Sequence, residues 1–205
     1  MRRSVFILLL CPTFLFSTPP EKSCDSAVVI IYGGTSSAVI AAVQVMRMGE
    51  SAIIVCPDKH LGGLTSSGLG WTDAGRTAAI GGLAREFYRD IYAQYRKPGA
   101  WRWQQRDQFS NAGQGTKAID DGEGIMWVFE PHVAETVFET YINTNKIRVY
   151  RNEWLDRAHG VSSAEGRLRA ITMLSGKTFS GKIFIDATYE GDLMAAAGVS
   201  YHVGR

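Results

Sequence analysis

Residues 27–56 confine the chain to a narrow set of folds. Ala27 to Tyr32 reads AVVIIY, a short unbroken apolar run without the alternation of a half-exposed strand, as expected of a strand buried on both faces. Gly33-Gly34-Thr35-Ser36-Ser37 follows as a turn. Ala38 to Met48 then sets apolar residues on a helical period, and Gly49 closes it as a C-cap. Ser51 to Cys56, SAIIVC, is a second short strand. Strand, glycine turn, helix, glycine and strand in this order make a βαβ unit, whose strands are parallel and whose crossover is right-handed. The class is therefore α/β, with these as the first strands of a parallel sheet.

Downstream, Leu61-Gly62-Gly63-Leu64-Thr65-Ser66-Ser67-Gly68-Leu69-Gly70-Trp71-Thr72-Asp73 is a glycine-dense loop. Leu83, Phe87, Ile91 and Tyr95 repeat every fourth residue and predict a helix over 82–96. Residues 98–124 are aromatic, Gln-rich and Gly-rich without a period, an irregular excursion long enough for a functional loop or part of an inserted subdomain. Glu130 to Tyr141 returns to helix, with Pro131 in its first turn and Val133, Val137 and Tyr141 on one face. The remainder is an additional β-rich segment: strands are predicted at 147–150, 154–158, 168–174 and 182–187, with turns at Ser175-Gly176 and Ser180-Gly181. The last run, KIFIDA, has the composition to rejoin the parallel sheet. Thr188 to Gly191 is a polar turn, and Asp192 to Ala197 a short helix capped by Gly198.

Composition excludes several classes. With 205 residues the chain fits one domain, and 45% hydrophobic with 20% charged residues is the balance of a globular protein, neither disordered nor polytopic. A net charge of +2 supplies no basic field for nucleic acid. Arg2 and Arg3 before the apolar run Val5–Phe16 have the layout of a secretory signal peptide over residues 1–20, loosely of the twin-arginine kind, leaving a mature domain at 25–205 and an exported protein. That run is too short for a membrane span and Pro12 interrupts it, so no stable span is expected after signal cleavage. Cys11 leaves with the signal. Cys24 and Cys56 make no disulfide framework, and Cys56, ending an apolar run, reads as a small buried hydrophobe. His60, His132, His159 and His202 lack ligand spacing, so no metal is expected.

A turn between a parallel strand and a helix collects backbone N–H groups and the positive end of a helix dipole, which suits a diphosphate. Against the fingerprint G-x-G-x-x-G, the turn reads Gly33, Gly34, Thr35, Ser36, Ser37, Ala38. Alanine at the sixth position still allows close helix–strand packing. Thr35 at the third puts a side chain where a pyrophosphate approaches the backbone, and offers its hydroxyl in exchange. The acid that holds the adenosine ribose belongs at the end of the second strand, where Cys56 stands; Asp58, two residues on, is the available substitute.

The stretches YGGTSSAVIAAVQ (32–44), CPDKHLGGLTSSGLGWTD (56–73), IGGLAREFY (80–88), WVFEPHVAE (127–135) and FIDATYEGDLMAAAGV (184–199) together resemble the FAD-dependent oxidoreductases distantly related to fumarate reductase flavoproteins. The resemblance runs from about Ala27 to Arg205. It implies a Rossmann-like FAD-binding fold and FAD as cofactor, with flavin-mediated two-electron transfer on a small-molecule substrate. It implies a pyrophosphate site at Gly33, Gly34, Thr35 and Ser36, and a loop along the dinucleotide at Gly62, Gly63, Ser66, Ser67 and Gly68. Thr188, Gly191 and Asp192 would lie near the cofactor where the sheet returns. Family members are several times longer, so the chain is expected to be the N-terminal part of such an enzyme. Two other readings stand beside this one: a non-catalytic module that keeps the dinucleotide fold, favoured by Thr35, Ala38 and Cys56, and an NAD(P)-linked reductase, disfavoured by the missing acid and the absence of an arginine at the second strand's end. No catalytic acid, base or nucleophile stands out.

Overall fold

In the computed structural model, which describes residues 23–73, 75–109 and 117–204, strands and helices are interspersed before a run of five strands and a short closing helix. In order these are β1 (Cys24–Ser26), β2 (Val29–Tyr32), α1 (Ser36–Arg47), β3 (Ala52–Val55), α2 (Leu64–Ser67), α3 (Gly82–Tyr95), β4 (Ile119–Asp120), β5 (Ile125–Met126), α4 (Pro131–Thr144), β6 (Arg148–Tyr150), β7 (Val161–Ala164), β8 (Arg167–Thr172), β9 (Thr178–Ser180), β10 (Ile183–Asp186) and α5 (Asp192–Ala196). The predicted signal segment 1–20 lies outside the described residues. Among those described, no helix is long and apolar enough to cross a membrane.

The predicted βαβ unit is present. β2 and β3 pair in parallel, Val29 opposite Ala52 through Tyr32 opposite Val55, and every residue of both strands is buried. Their continuous apolar character has a direct cause: the strands are covered on two sides. Val29 and Ile31 face a layer of helices, packing with Val39 and Val43 of α1, Ile91 of α3 and Phe138 of α4. Ile30, Tyr32, Ile53 and Val55 face the other way, against Leu155, Ile171, Met173 and Phe179. Alternation sends each strand's side chains into two cores at once.

The parallel sheet has the order β10-β2-β3-β6. KIFIDA rejoins it as expected, Ile183 opposite Val29 through Asp186 opposite Tyr32. The second sheet, order β1-β9-β8-β7, roofs the second core. Its detail departs from the sequence reading. Residues 154–158 are no strand and contribute a single bridge, Leu155 with Met173. β7 and β9 form where irregular chain or a turn was expected, and β1 adds to β9 in parallel. β7 reads VSSA and lies at the sheet edge, three of its four residues exposed, so no apolar alternation marks it. The glycine-dense loop also holds a short helix, α2, that was not foreseen. In the excursion 98–124, residues 110–116 lie outside the described residues, and its end pairs as β4 with β5.

Topology positions the functional region. From β2 the chain steps to β3 and then β6 on one side, and returns to β10 on the other side of β2. The order therefore reverses between β2 and β10, and ligands of open α/β sheets bind outside the carboxyl ends of the strands at such a reversal.

Candidate dinucleotide site at the strand-order reversal

Three turns meet there, drawn from residues about 30 and 155 positions apart in sequence. Gly33, directly after β2, donates its N–H to Val55 O at 2.9 Å and has φ +121°. A Cβ on it would lie 2.6 Å from the backbone carbon and oxygen of Ala187, the residue after β10. Only glycine permits that approach. The second turn, Leu61–Gly68, is locked to the first by a parallel bridge between Thr35 and Gly62, in which Gly62 N–H donates to Gly34 O at 2.8 Å.

Thr35 resolves the departure from the glycine fingerprint, in a direction opposite to the sequence expectation. Its side chain is buried and faces inward. Oγ1 donates to Ala187 O at 2.7 Å, accepts from Ala38 N–H at 3.4 Å as the N-cap of α1, and, its one proton being committed, accepts from Ser37 Oγ at 2.7 Å. The hydroxyl therefore ties α1 to the end of β10 and makes no outward contact. The mouth of the turn is left to Gly33, Gly34 and the first backbone N–H groups of a twelve-residue helix, which have no carbonyls behind them.

Asp58 stands against this turn: a Cβ on Gly34 would lie 2.6 Å from Asp58 Oδ2. Cys56, where an acid was expected, is fully buried, with its thiol donating to Asp58 O at 3.5 Å. Burial pushes that thiol up to about 12, so it stays protonated and unreactive at neutral pH. The reading of Cys56 as a small hydrophobe holds.

In the second turn Gly62 has φ +109°, and a Cβ there would lie 2.5 Å from the Phe138 ring. Ser66 and Ser67 spend their protons inside the loop. Ser66 Oγ donates to Leu61 O at 2.6 Å and Ser67 Oγ to Gly63 O at 2.5 Å, so their oxygens offer acceptor lone pairs rather than donors. Gly68 ends α2 with φ +136° in open space, away from the junction's contacts.

The third turn is organised by a residue sequence reasoning missed. Asp186, the last residue of β10, accepts from Thr188 N–H at 2.9 Å and Thr188 Oγ1 at 2.7 Å on one oxygen, and from Met194 N–H at 2.8 Å on the other. Thr188 Oγ1 in turn accepts from Gly191 N–H at 2.9 Å and Asp192 N–H at 3.2 Å. Asp192 pairs with Arg157 at 3.1 Å. Tyr189, also missed, reaches across: its hydroxyl accepts from Leu64 N–H at 2.7 Å beside Gly63, joining the third turn to the second. An acid closing an apolar strand, with a threonine two residues on, was the available signal for Asp186; nothing local marks Tyr189.

Trp127 is core, packed 4.6 Å from the Tyr88 ring, and Trp71 is bridged to Val128. A hollow of about 860 Å3 forms an open groove between β8, β10 and α5. It touches the junction through Asp186 and Met194 and contains none of the glycines of the first two turns. No group of metal-ligating side chains occurs among the described residues.

A glycine turn at a strand-order reversal, open helix N–H groups, an acid beside the second glycine and a third turn closing the far side define a dinucleotide-binding α/β protein. The first backbone N–H groups of α1, beside the Gly33-Gly34 turn, fit a pyrophosphate. The chain belongs to the family of FAD dependent oxidoreductases, whose match spans residues 29–205. No curated protein matches it. Solved structures share the fold. L-proline dehydrogenase from P. horikoshii aligns with a TM-score of 0.56 at 12% identity over 88% of this chain and 58% of that one. AlpK aligns with 0.51 at 12% identity over 85% and 34%. A flavin-containing monooxygenase from Stenotrophomonas maltophilia aligns more weakly, 0.45 at 18% identity over 80% and 38%. The chain thus spans between 34% and 58% of the length of these proteins.

Proposed function

We propose that the chain binds FAD at the junction of the three turns and serves an exported oxidoreductase acting on a small-molecule substrate. The observation that carries this is the convergence of Gly33, Thr35, Gly62 and Ala187 at the strand-order reversal. The N-terminal backbone of α1, with Gly33, Gly34 and Ser36, holds the pyrophosphate, and the helix dipole offsets its charge. Asp58 accepts the adenosine ribose hydroxyls in place of residue 56. Gly62 and Gly63 let the second turn's backbone run close along the ligand, with Ser66 and Ser67 as acceptors. Thr188, Gly191 and Asp192 wall the far side, held by Asp186. When bound, the flavin supplies two-electron transfer, so no protein nucleophile is needed. Export rests on Arg2-Arg3 and the apolar run after them.

One observation bears on the NAD(P) alternative. An arginine does stand at this end of the sheet: Arg151 follows β6, and its Nη2 donates to Glu139 Oε1 at 2.5 Å. Its charge is already matched by Glu139, which leaves little attraction for a ribose phosphate and favours FAD. The test is the visible spectrum of the purified protein, together with thermal melts in FAD, NADH and NADPH. A ligand at 100 times its Kd adds about 2.7 kcal/mol, a resolvable shift. FAD is expected to give the yellow spectrum and the stabilisation. A colourless protein that takes up no added FAD defeats the proposal, and bound flavin that substrates cannot reduce favours the non-catalytic module.

A further inference from the structure

The excursion after α3 builds a second hollow, separate from the three turns. Trp101, Trp103 and Phe109 from the excursion, with Tyr95 and Phe129, wall a cavity of about 250 Å3 whose lining also carries Glu130 and Arg102. Most of these walls are fixed. Trp101 donates Nε1–H to Tyr95 O at 3.0 Å, and its ring lies 5.3 Å from that of Tyr95 and 5.5 Å from that of Phe109. Phe129 is held edge-on to Phe87 at 5.7 Å. Trp103 is the exception, 90% exposed and packed on no other ring among the described residues. A large indole left in water at the lip of an aromatic cavity gains by closing over a ligand.

The charges are equally specific. Tyr95 OH donates to Glu130 Oε2 at 3.1 Å and accepts from Glu130 N–H at 2.8 Å, which fixes the carboxylate at the cavity and leaves Oε1 unbonded among the described residues. Arg102 makes no ion pair among the described residues, and in particular none with Glu130, although both line this hollow. A simple anion would meet Glu130 and a simple cation would meet Arg102. A neutral apolar ligand would strip water from both charges and return nothing. A ligand carrying both charges uses every group: aromatic faces and carboxylate attract an ammonium, and a guanidinium takes a carboxylate.

We propose that this hollow binds a small zwitterion, its alkylated ammonium seated between the aromatic walls against Glu130 and its carboxylate on Arg102. The test is isothermal titration of the full chain with three probes of one shape class: trimethylglycine, tetramethylammonium and 3,3-dimethylbutanoate, the last lacking the positive charge. Trimethylglycine binds tightest, and each singly charged probe binds about tenfold more weakly or less, a difference of about 1.4 kcal/mol. Glu130→Gln keeps the shape and the Tyr95 contact and lowers trimethylglycine affinity about tenfold. Arg102→Gln lowers trimethylglycine affinity and leaves tetramethylammonium binding intact. Trp103→Ala weakens both, and truncating so exposed a side chain leaves the fold in place, as circular dichroism of each variant verifies. Tryptophan fluorescence provides a second readout. Equal binding of trimethylglycine and either singly charged probe overturns the proposal, as does the absence of heat and fluorescence change up to about 10 mM, well above a millimolar Kd.

Discussion

Gly33→Ala tests the contact on which the three-turn junction is built. At φ +121° the residue occupies a region almost closed to L-residues, and its Cβ would sit 2.6 Å from Ala187 C and O and 2.9 Å from Thr188 N. All three are backbone atoms, and Ala187 also donates its N–H to Tyr32 O at 2.8 Å, so relief requires moving the end of β10 away from β2. The strained backbone costs about 1–3 kcal/mol. Overpacking against backbone adds about 1–3 kcal/mol. Together they reach about 2–6 kcal/mol, a large part of a typical domain's stability. Gly176 is the control. Its φ is +87°, but a Cβ there meets nothing within 4 Å, so Gly176→Ala costs the backbone term alone, about 1–2 kcal/mol. Urea unfolding followed by far-ultraviolet circular dichroism, with m-values compared, measures both. Gly33→Ala is expected to be the more destabilising by about 1–3 kcal/mol and to abolish FAD uptake. Equal losses of stability at the two positions would refute the reasoning, because backbone strain alone would then explain Gly33.

Three other outcomes follow from individual contacts. Thiol labelling of the native protein at pH 8 modifies Cys24, which is exposed, and spares Cys56, whose buried thiol is pushed up to about 12; Cys56 labelling at the rate of Cys24 contradicts its place in the core. The Asp25 carboxyl lies below its ordinary value, held there first by the Tyr150 hydroxyl and then by Ser26 N–H and Arg148. A depressed carboxyl stabilises the fold above the unfolded value of about 3.9 and loses that contribution as pH falls through the lower folded one. Stability therefore drops below about pH 4 in the parent and drops less in Asp25→Asn, as urea midpoints between pH 7 and pH 3 should record. Asp186→Asn leaves one oxygen to do the work of two and sets an amide N–H against either Thr188 or Met194; it costs about 1–3 kcal/mol, and accelerated hydrogen exchange at those two amides identifies the cause.

The parts of the fold legible in sequence are those where local pattern and final environment agree. VIIY and AIIV are apolar throughout because each is buried throughout, and Pro131 and the four-residue spacing from Leu83 to Tyr95 mark helices that pack as their faces predict. β1 and β7 escaped notice because CDS and VSSA face water for much of their length, and β9 because TFS is too short for an alternation to show. Their pairing is imposed by the sheet beside them. The site was legible as a set of turns and illegible as a place. Thr35 and Ala187 are 152 residues apart, and only the return of β10 beside β2 makes the threonine hydroxyl a cap and a tie instead of an obstruction.

The same distinction explains the missing acid. Residue 56 directly follows β3 with no exposure, between Tyr150 on one side and the backbone of Asp58 on the other; Cys56 N–H donates to Tyr150 O at 2.9 Å, and Glu153 N–H to Cys56 O at 2.9 Å. A carboxylate at that position would be stripped of water near Asp58 and Glu139, which carry the same charge, and the nearby Arg151 is already paired with Glu139. Moving the acid two residues along puts it at the turn's rim, and it fits there because position 34 is glycine, any Cβ at that point lying 2.6 Å from Asp58 Oδ2. In the proposed FAD site, Gly34 thus serves two demands, a backbone open to the pyrophosphate and room for the carboxylate beside it. The second demand comes from Cys56 standing where the fingerprint places an acid, so the departures at 35 and 56 are both absorbed by residues packed directly against them.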